Sequence, residues 1–234
     1  MLSLTRGWLF IHVPRTGGNS FQEVLFPTSD DRRTVGKYRD GVEEYEVRGP
    51  ITDRKHMTLK EYRDRLPWGT FERLFKFAVV RNPWERAISA HFCPFHWATK
   101  PGEPTWSSEQ FLRTLKMIPP MTELVSVRGK VRLDSILRFE NLKEDAELIM
   151  ARLGIEGAAF PHRNVGLTPE PWTSYYEREP ELIDRVAWRY RADIELFGYE
   201  FPGRSVTAPA RKWAKPSRGV SAGALHDRLR AAFR

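Results

Sequence analysis

The sequence predicts an α/β fold with a central, mainly parallel sheet flanked by helices, and three observations carry that expectation. Two short strand-like runs, Trp8-Leu9-Phe10-Ile11-His12-Val13 and Leu74-Phe75-Lys76-Phe77-Ala78-Val79-Val80, have the length and composition of strands buried on both faces. Each is cut off sharply, the first by Pro14-Arg15-Thr16-Gly17-Gly18-Asn19-Ser20 and the second by Arg81-Asn82-Pro83-Trp84-Glu85. A helical pattern follows each break. Strands alternating with helices build a layered parallel sheet, and such sheets bind ligands at the carboxyl ends of their strands, where both breaks fall.

The elements follow in order. After the glycine turn, the apolar spacing of Phe21 to Phe26 predicts a helix. The polar stretch from Thr28 to Asp53 holds one expected strand near Tyr45 to Val47. Thr58-Leu59-Lys60-Glu61 matches a capping box and starts a short helix at Thr58. Behind the second strand, Asn82 as N-cap, Pro83 at the first helical position and Glu85 at the third form a complete helix-start signal. Cys93 to Thr105, rich in Pro, His and Trp, reads as a loop, and Ser107-Ser108-Glu109-Gln110 opens a helix to about Lys116. Val131 to Phe139 is expected as a third strand, with Asn141-Leu142-Lys143-Glu144 capping a helix to Leu153. Glu181 to Arg191 is the last long helix before the Leu196-Phe197-Gly198-Tyr199 close.

At 234 residues and 41% hydrophobic content the chain can bury one substantial core. Its 8 Trp, 14 Phe and 7 Tyr supply ample aromatic surface for it. Cys93 is the only cysteine, so packing and hydrogen bonds alone must hold the fold. That usage, with no signal-peptide order of residues at the start, predicts a cytoplasmic protein. The formal charge of +8 is unevenly placed: residues 204–234 carry eight Lys/Arg against one Asp, leaving the rest almost neutral. The expected division is therefore one domain over residues 1–203 and a basic tail over 204–234. The tail suits weak contact with an anionic surface, with no specific nucleic acid implied.

Gly17 and Gly18 let backbone amides converge on an anion, the following helix adds its positive end, and Arg15 supplies a fixed cation. The loop lacks the Gly-Lys-Ser/Thr ending of nucleoside triphosphatases, which argues against ATP hydrolysis. In the second motif Arg81 sits at a strand end, and Ser89 lies two turns into the next helix on a face shared with Asn82, Glu85 and Arg86. Arg81 and Ser89 can flank one phosphate. No spacing of His, Cys, Asp or Glu matches a metal site.

The two motifs together resemble those of PAPS-dependent sulfotransferases of the carbohydrate type, which use 3′-phosphoadenosine 5′-phosphosulfate. Ile11 to Ser20 resembles their 5′-phosphosulfate loop and Phe77 to Ser89 their 3′-phosphate motif. Arg138-Phe139-Glu140-Asn141-Leu142, Pro161-His162-Arg163-Asn164 and Asp193 to Tyr199 extend the likeness, so that it covers roughly residues 8–201. The resemblance implies a P-loop-like, three-layer fold. It also implies PAPS as sulfuryl donor, with no metal, and a hydroxyl acceptor, a saccharide or glycoconjugate being favoured. Arg15, Thr16, Gly17, Gly18, Asn19 and Ser20 would hold the 5′-phosphosulfate, and Arg81 and Ser89 the 3′-phosphate. Arg15 stands where Lys is usual and Asn19 where Thr or Ser is common. Arg15 is also expected to act in catalysis, on the leaving group.

A base must take the acceptor's proton. His56, at a loop-to-helix junction between the two motifs, suits the task, because an imidazole with a reference pKa near ~6.5 is unprotonated at neutral pH. Related carbohydrate sulfotransferases place a His or Glu in the corresponding region. Glu43, Glu44 and His91 are the other choices, while the capping box directs Glu61 to the backbone. Two further functions stay open at the level of sequence. A P-loop kinase would need ATP and Mg²⁺, and a polyanion-binding module would lose its activity with residues 204–234. Acceptor shape is expected in the variable segments 28–55 and 93–130.

Overall fold

A computed structural model describes residues 1–35, 45–93, 105–155, 159–161 and 168–204. Eight strands lie among them: β1 (Leu2–Ser3), β2 (Trp8–Ile11), β3 (Arg32–Val35), β4 (Tyr45–Arg48), β5 (Phe75–Val80), β6 (Ser126–Val127), β7 (Lys130–Val131) and β8 (Ser135–Arg138). The helices are α1 (Gly18–Leu25), α2 (Leu59–Arg65), α3 (Trp68–Arg73), α4 (Pro83–His91), α5 (Ser108–Met117), α6 (Met121–Val125), α7 (Leu142–Arg152), α8 (Trp172–Arg178), α9 (Glu181–Arg189) and α10 (Arg191–Phe197). The main sheet has the order β1-β2-β5-β8. β2 pairs parallel with β5, from Trp8 opposite Phe75 to Ile11 opposite Ala78, and β5 pairs parallel with β8. Only the edge strand β1 runs antiparallel.

Side chains alternate across a strand, so β2 and β5 feed two cores. Trp8, Phe10, Phe77 and Val79 pack with Phe21 and Leu25 of α1 and Ala146 and Ile149 of α7. Leu9, Ile11, Ala78 and Val80 face a larger core that takes in α2 to α6 and α8 to α10. Each fully buried side chain of this size contributes about 1.5–3 kcal/mol by leaving water. The result is the expected three layers around a mainly parallel sheet.

Local rules explain the boundaries. Thr58 and Glu61 make both halves of the capping box of α2, with Glu61 N donating to Thr58 Oγ1 at 3.2 Å and Thr58 N to Glu61 Oε2 at 2.8 Å. Asn82 caps α4 by accepting from Trp84 N at 3.0 Å and Glu85 N at 3.4 Å. Three expectations need correction. The first helix starts at Gly18, not Phe21, because the glycine turn leads straight into it. Asn141 makes no side-chain cap on α7, which grows instead out of a 3₁₀ turn at Phe139–Asn141. The strand expected over Val131 to Phe139 is two strands. Arg128 and Gly129, with φ of 52° and 73°, close a two-residue hairpin between β6 and β7. The chain then enters the main sheet at Asp134, whose N donates to Lys76 O at 2.7 Å while Lys76 N donates to its Oδ2 at 2.7 Å.

Candidate active site

The loop after β2 is shaped by two left-handed residues. Arg15 has φ 65° and Gly17 φ 79°, left-handed conformations that bend the chain sharply. Thr16 Oγ1 donates to Val13 O at 2.9 Å and Ser20 N to Gly17 O at 3.1 Å, closing the turn from within. Gly18 must be glycine, because a Cβ there would collide with the buried ring of His12. Thr16, Gly18 and Ser20 are buried, whereas Arg15, Gly17 and Asn19 are partly open.

The second motif meets this loop directly. Ser89, one helical face along α4, accepts from Arg15 Nη2 at 3.1 Å and from Arg15 Nε at 3.3 Å. Arg15 Nη1 lies 3.4 Å from Cys93 Sγ. Arg81, the first residue after β5, donates from Nη1 to Arg15 O at 3.1 Å and from Nη2 to Glu85 Oε1 at 2.8 Å. Its guanidinium lies 3.8 Å over the Phe139 ring, a cation–π contact that fixes the plane of the fork. Seventy-four positions separate Arg15 from Ser89, and the parallel pairing of β2 with β5 is what brings them together.

His56 lies at the same end of β2. Its Nδ1 sits 2.8 Å from His12 O, and its ring meets the His12 ring edge-on at 4.9 Å between centroids. A carbonyl can only accept, so Nδ1 carries the proton and, in the neutral ring, Nε2 carries the lone pair. The approach to His56 is pinned: Thr52 Oγ1 donates to Asp31 Oδ2 at 3.0 Å, and Met57 is fully buried under Asp53 N, 3.2 Å from its Sδ. Burial holds the His12 imidazole well below the ordinary histidine value, with the charges of Lys55 and His56 acting the same way, so His12 is neutral. Among the other proposed bases, His91 is buried with Nε2 3.1 Å from Thr105 O, and its pKa is lowered by burial. Glu43 and Glu44 lie outside the described residues. Glu61 is held in its capping box, as its sequence context requires.

Several further residues brace this arrangement, and two of them, Arg86 and Asp193, were given no role by sequence reasoning. Arg86 is fully buried in α4 and donates from Nε to Pro14 O and from Nη2 to Pro119 O, both at 3.0 Å. Asp193, also buried, accepts from Met121 N at 2.7 Å and Thr122 N at 2.8 Å and so holds the start of α6, whose Met121 Sδ lies 3.4 Å from Arg81 N. Burial pushes the Asp193 carboxyl up, while the charge of Arg86 and the two amides act in the opposite direction. Glu140 Oε1 accepts from Asn82 N at 2.6 Å, and its Oε2 from the Tyr199 hydroxyl at 3.2 Å. The segments from Arg138 to Leu142 and from Asp193 to Tyr199 thus act as supports for the second motif. The one visible signal for Arg86 was its place in the second motif, on a helix face shared with Asn82, Glu85 and Ser89. Pro161 is described, but His162, Arg163 and Asn164 are not.

A glycine-bearing turn and a capped, arginine-led helix thus meet at the ends of adjacent parallel strands, the place where sheets of this kind take their ligands. The chain matches the Sulfotransferase family over residues 5–200, and it belongs to that family. It is a transferase that moves a sulfuryl group from a sulfate donor to a hydroxyl acceptor. No curated protein and no solved structure gives a significant match. Among the described residues, no helix is long and apolar enough to cross a membrane.

Proposed function

We propose that the protein transfers the sulfuryl group of PAPS to a hydroxyl of a saccharide or glycoconjugate, by in-line displacement and with His56 as base. The observation that carries this reading is the direct contact of Arg15 with Ser89, which merges the two anion-binding motifs into one surface. On that surface Arg15, Thr16, Gly17, Gly18, Asn19 and Ser20 hold the 5′-phosphosulfate, and Arg81 and Ser89 hold the 3′-phosphate. PAPS carries both groups on one nucleoside, which is the ligand a merged surface suits.

In the reaction the acceptor oxygen attacks sulfur while the bond from sulfur to the bridging oxygen breaks. Nε2 of His56 takes the acceptor's proton, and His12 O holds the opposite nitrogen protonated so that the ring cannot turn its lone pair away. Negative charge grows on the bridging oxygen, which leaves with the nucleotide as 3′-phosphoadenosine 5′-phosphate. Arg15 and the loop amides face that charge and stabilise it more in the transition state than in the ground state. Arg15 does so as a planar, permanently charged fork and not as a proton donor.

The catalytic unit spans residues 1–203, and the basic segment 204–234 is a tail that adds weak contact to anionic surfaces. The single, buried Cys93 suits a reducing, cytoplasmic setting. Incubation with sulfur-labelled PAPS and a panel of saccharides, without ATP or Mg²⁺, tests the whole reading. The expected product is heavier by one sulfuryl group. Turnover only with ATP and Mg²⁺ would replace the reading with a kinase.

A further inference from the structure

Two arginines from the second motif hold two successive carbonyls of the first. Arg86 donates to Pro14 O at 3.0 Å, and Arg81 donates to Arg15 O at 3.1 Å. In a trans peptide unit the N–H points opposite to the C=O. Fixing Pro14 O therefore fixes the Arg15 amide, and fixing Arg15 O fixes the Thr16 amide. Both carbonyls are drawn towards β5 and α4, and both amides are turned the other way. The residue between the two peptide units is Arg15, whose φ of 65° costs energy for a side chain with a Cβ. Something must hold that conformation, and the two guanidinium groups are placed to do it.

Arg86 carries the stronger argument because its burial is otherwise unfavourable. It is fully buried, its Nη1 has no hydrogen-bond partner among the described residues, and burial pulls its pKa down. An apolar side chain of similar length would avoid that desolvation, so the core alone does not call for a guanidinium here. The two hydrogen bonds that it does make go to Pro14 O and, across the linker between α5 and α6, to Pro119 O. It lies 5.6 Å from the centre of the Tyr190 ring, which limits its movement.

We propose that Arg86 is a positioning residue for sulfuryl transfer: by holding Pro14 O, in concert with Arg81 on Arg15 O, it keeps the Arg15 and Thr16 amides aimed at the donor's leaving phosphate. It touches neither substrate. This proposal rests on the donor reading above, but the geometry on which it depends can be read without turnover.

Two measurements separate the outcomes. In the first, the isotope-labelled full chain is titrated with inorganic phosphate, and the amide resonances of Arg15 and Thr16 are followed in wild type and in Arg86→Met. The wild-type amides shift in a saturable way, and in Arg86→Met that response is lost or weakened at least tenfold. Equal responses in the two proteins overturn the proposal, whatever the donor is. In the second, turnover with PAPS is compared in wild type, Arg86→Met and Arg86→Lys. Arg86→Met loses about a hundredfold in kcat with a smaller change in donor KM, the signature of misaligned amides at a charge that develops late. Arg86→Lys recovers part of the loss, because an ammonium can still reach Pro14 O. A kcat within twofold of wild type in Arg86→Met, or no recovery in Arg86→Lys, assigns Arg86 to packing alone. If Arg86→Met does not fold, Arg86→Lys and Arg86→Gln take its place in both measurements, and failure of all three to fold overturns the proposal. A wild-type protein that answers phosphate but not PAPS refutes the donor reading and leaves the loop geometry standing.

Discussion

At the scale of single residues, the proposed mechanism depends on charge placed where it is needed only late in the reaction. Arg15 lies at the junction of the two motifs, with Ser89 on one side and Arg81 on its carbonyl. In the proposed reaction its charge faces an oxygen that becomes fully anionic only as the nucleotide leaves, so Arg15→Ala should lower kcat more than it raises the donor KM. Arg15→Lys should keep much of the activity. Steady-state kinetics with PAPS checks both, and a raised KM at unchanged kcat would make Arg15 a uniform binder. His56 is oriented through His12 O, and His56→Ala should cut kcat by about two to four orders of magnitude with donor affinity nearly unchanged. A folded His56→Ala protein that binds donor and sulfates at the wild-type rate would send the search for the base to His91, Glu43 and Glu44. The two motifs were legible in the sequence because loop and helix-start signals are local. The roles of Arg86 and Asp193 were not, because each acts through backbone atoms far away in the chain: Pro14, Pro119, Met121 and Thr122.

At the scale of elements, the strand-loop-helix unit around Gly18 has the tightest steric tolerance. A Cβ at Gly18 meets the ring of His12, which is itself buried and packed against the rings of Phe10 and His56, so neither side can yield cheaply. Overpacking of this kind costs about 1–3 kcal/mol. Gly18→Ala should therefore lower the thermal midpoint and weaken donor binding together, as read by a thermal melt and a donor titration. Unchanged values for both would mean that the loop is looser than its geometry implies. The same unit shows what sequence can fix. β2, β5, the Thr58 capping box and the Asn82 cap all arise from neighbouring residues and stand where the pattern places them. The Val131 to Phe139 run failed as one strand because its break depends on a hairpin through Arg128, at positive φ without being glycine, and on the pairing of Asp134 with Lys76.

At the scale of the whole molecule, the neutral His12 under the loop links stability to pH. Its folded pKa lies well below the ordinary 6.5, because burial disfavours the imidazolium and Lys55 and His56 add to the effect. The unfolded chain therefore takes up a proton near pH 6.5 that the native state refuses, and stability is lost as pH falls from 6.5 towards the folded value. Above 6.5 this contribution is flat. Each such histidine contributes at most about 1.4 kcal/mol per pH unit, and His91, also lowered by burial, acts in the same direction. Urea unfolding at pH 5.5 and pH 7.5 should show a smaller pH effect in His12→Gln than in wild type; identical differences would place the linkage elsewhere.

In the proposed function the two motifs, one after β2 and one after β5, form a single surface for a nucleotide phosphorylated at both 3′ and 5′ positions. Calorimetric titration of the full chain with 3′-phosphoadenosine 5′-phosphate and with adenosine 5′-phosphate, in wild type and in Arg81→Ala, tests it most directly. A charged hydrogen bond is worth about 1.5–3 kcal/mol, so wild type should prefer the 3′-phosphorylated nucleotide by about one to two orders of magnitude. Arg81→Ala should remove most of that preference. Equal wild-type affinity for the two nucleotides would contradict the claim.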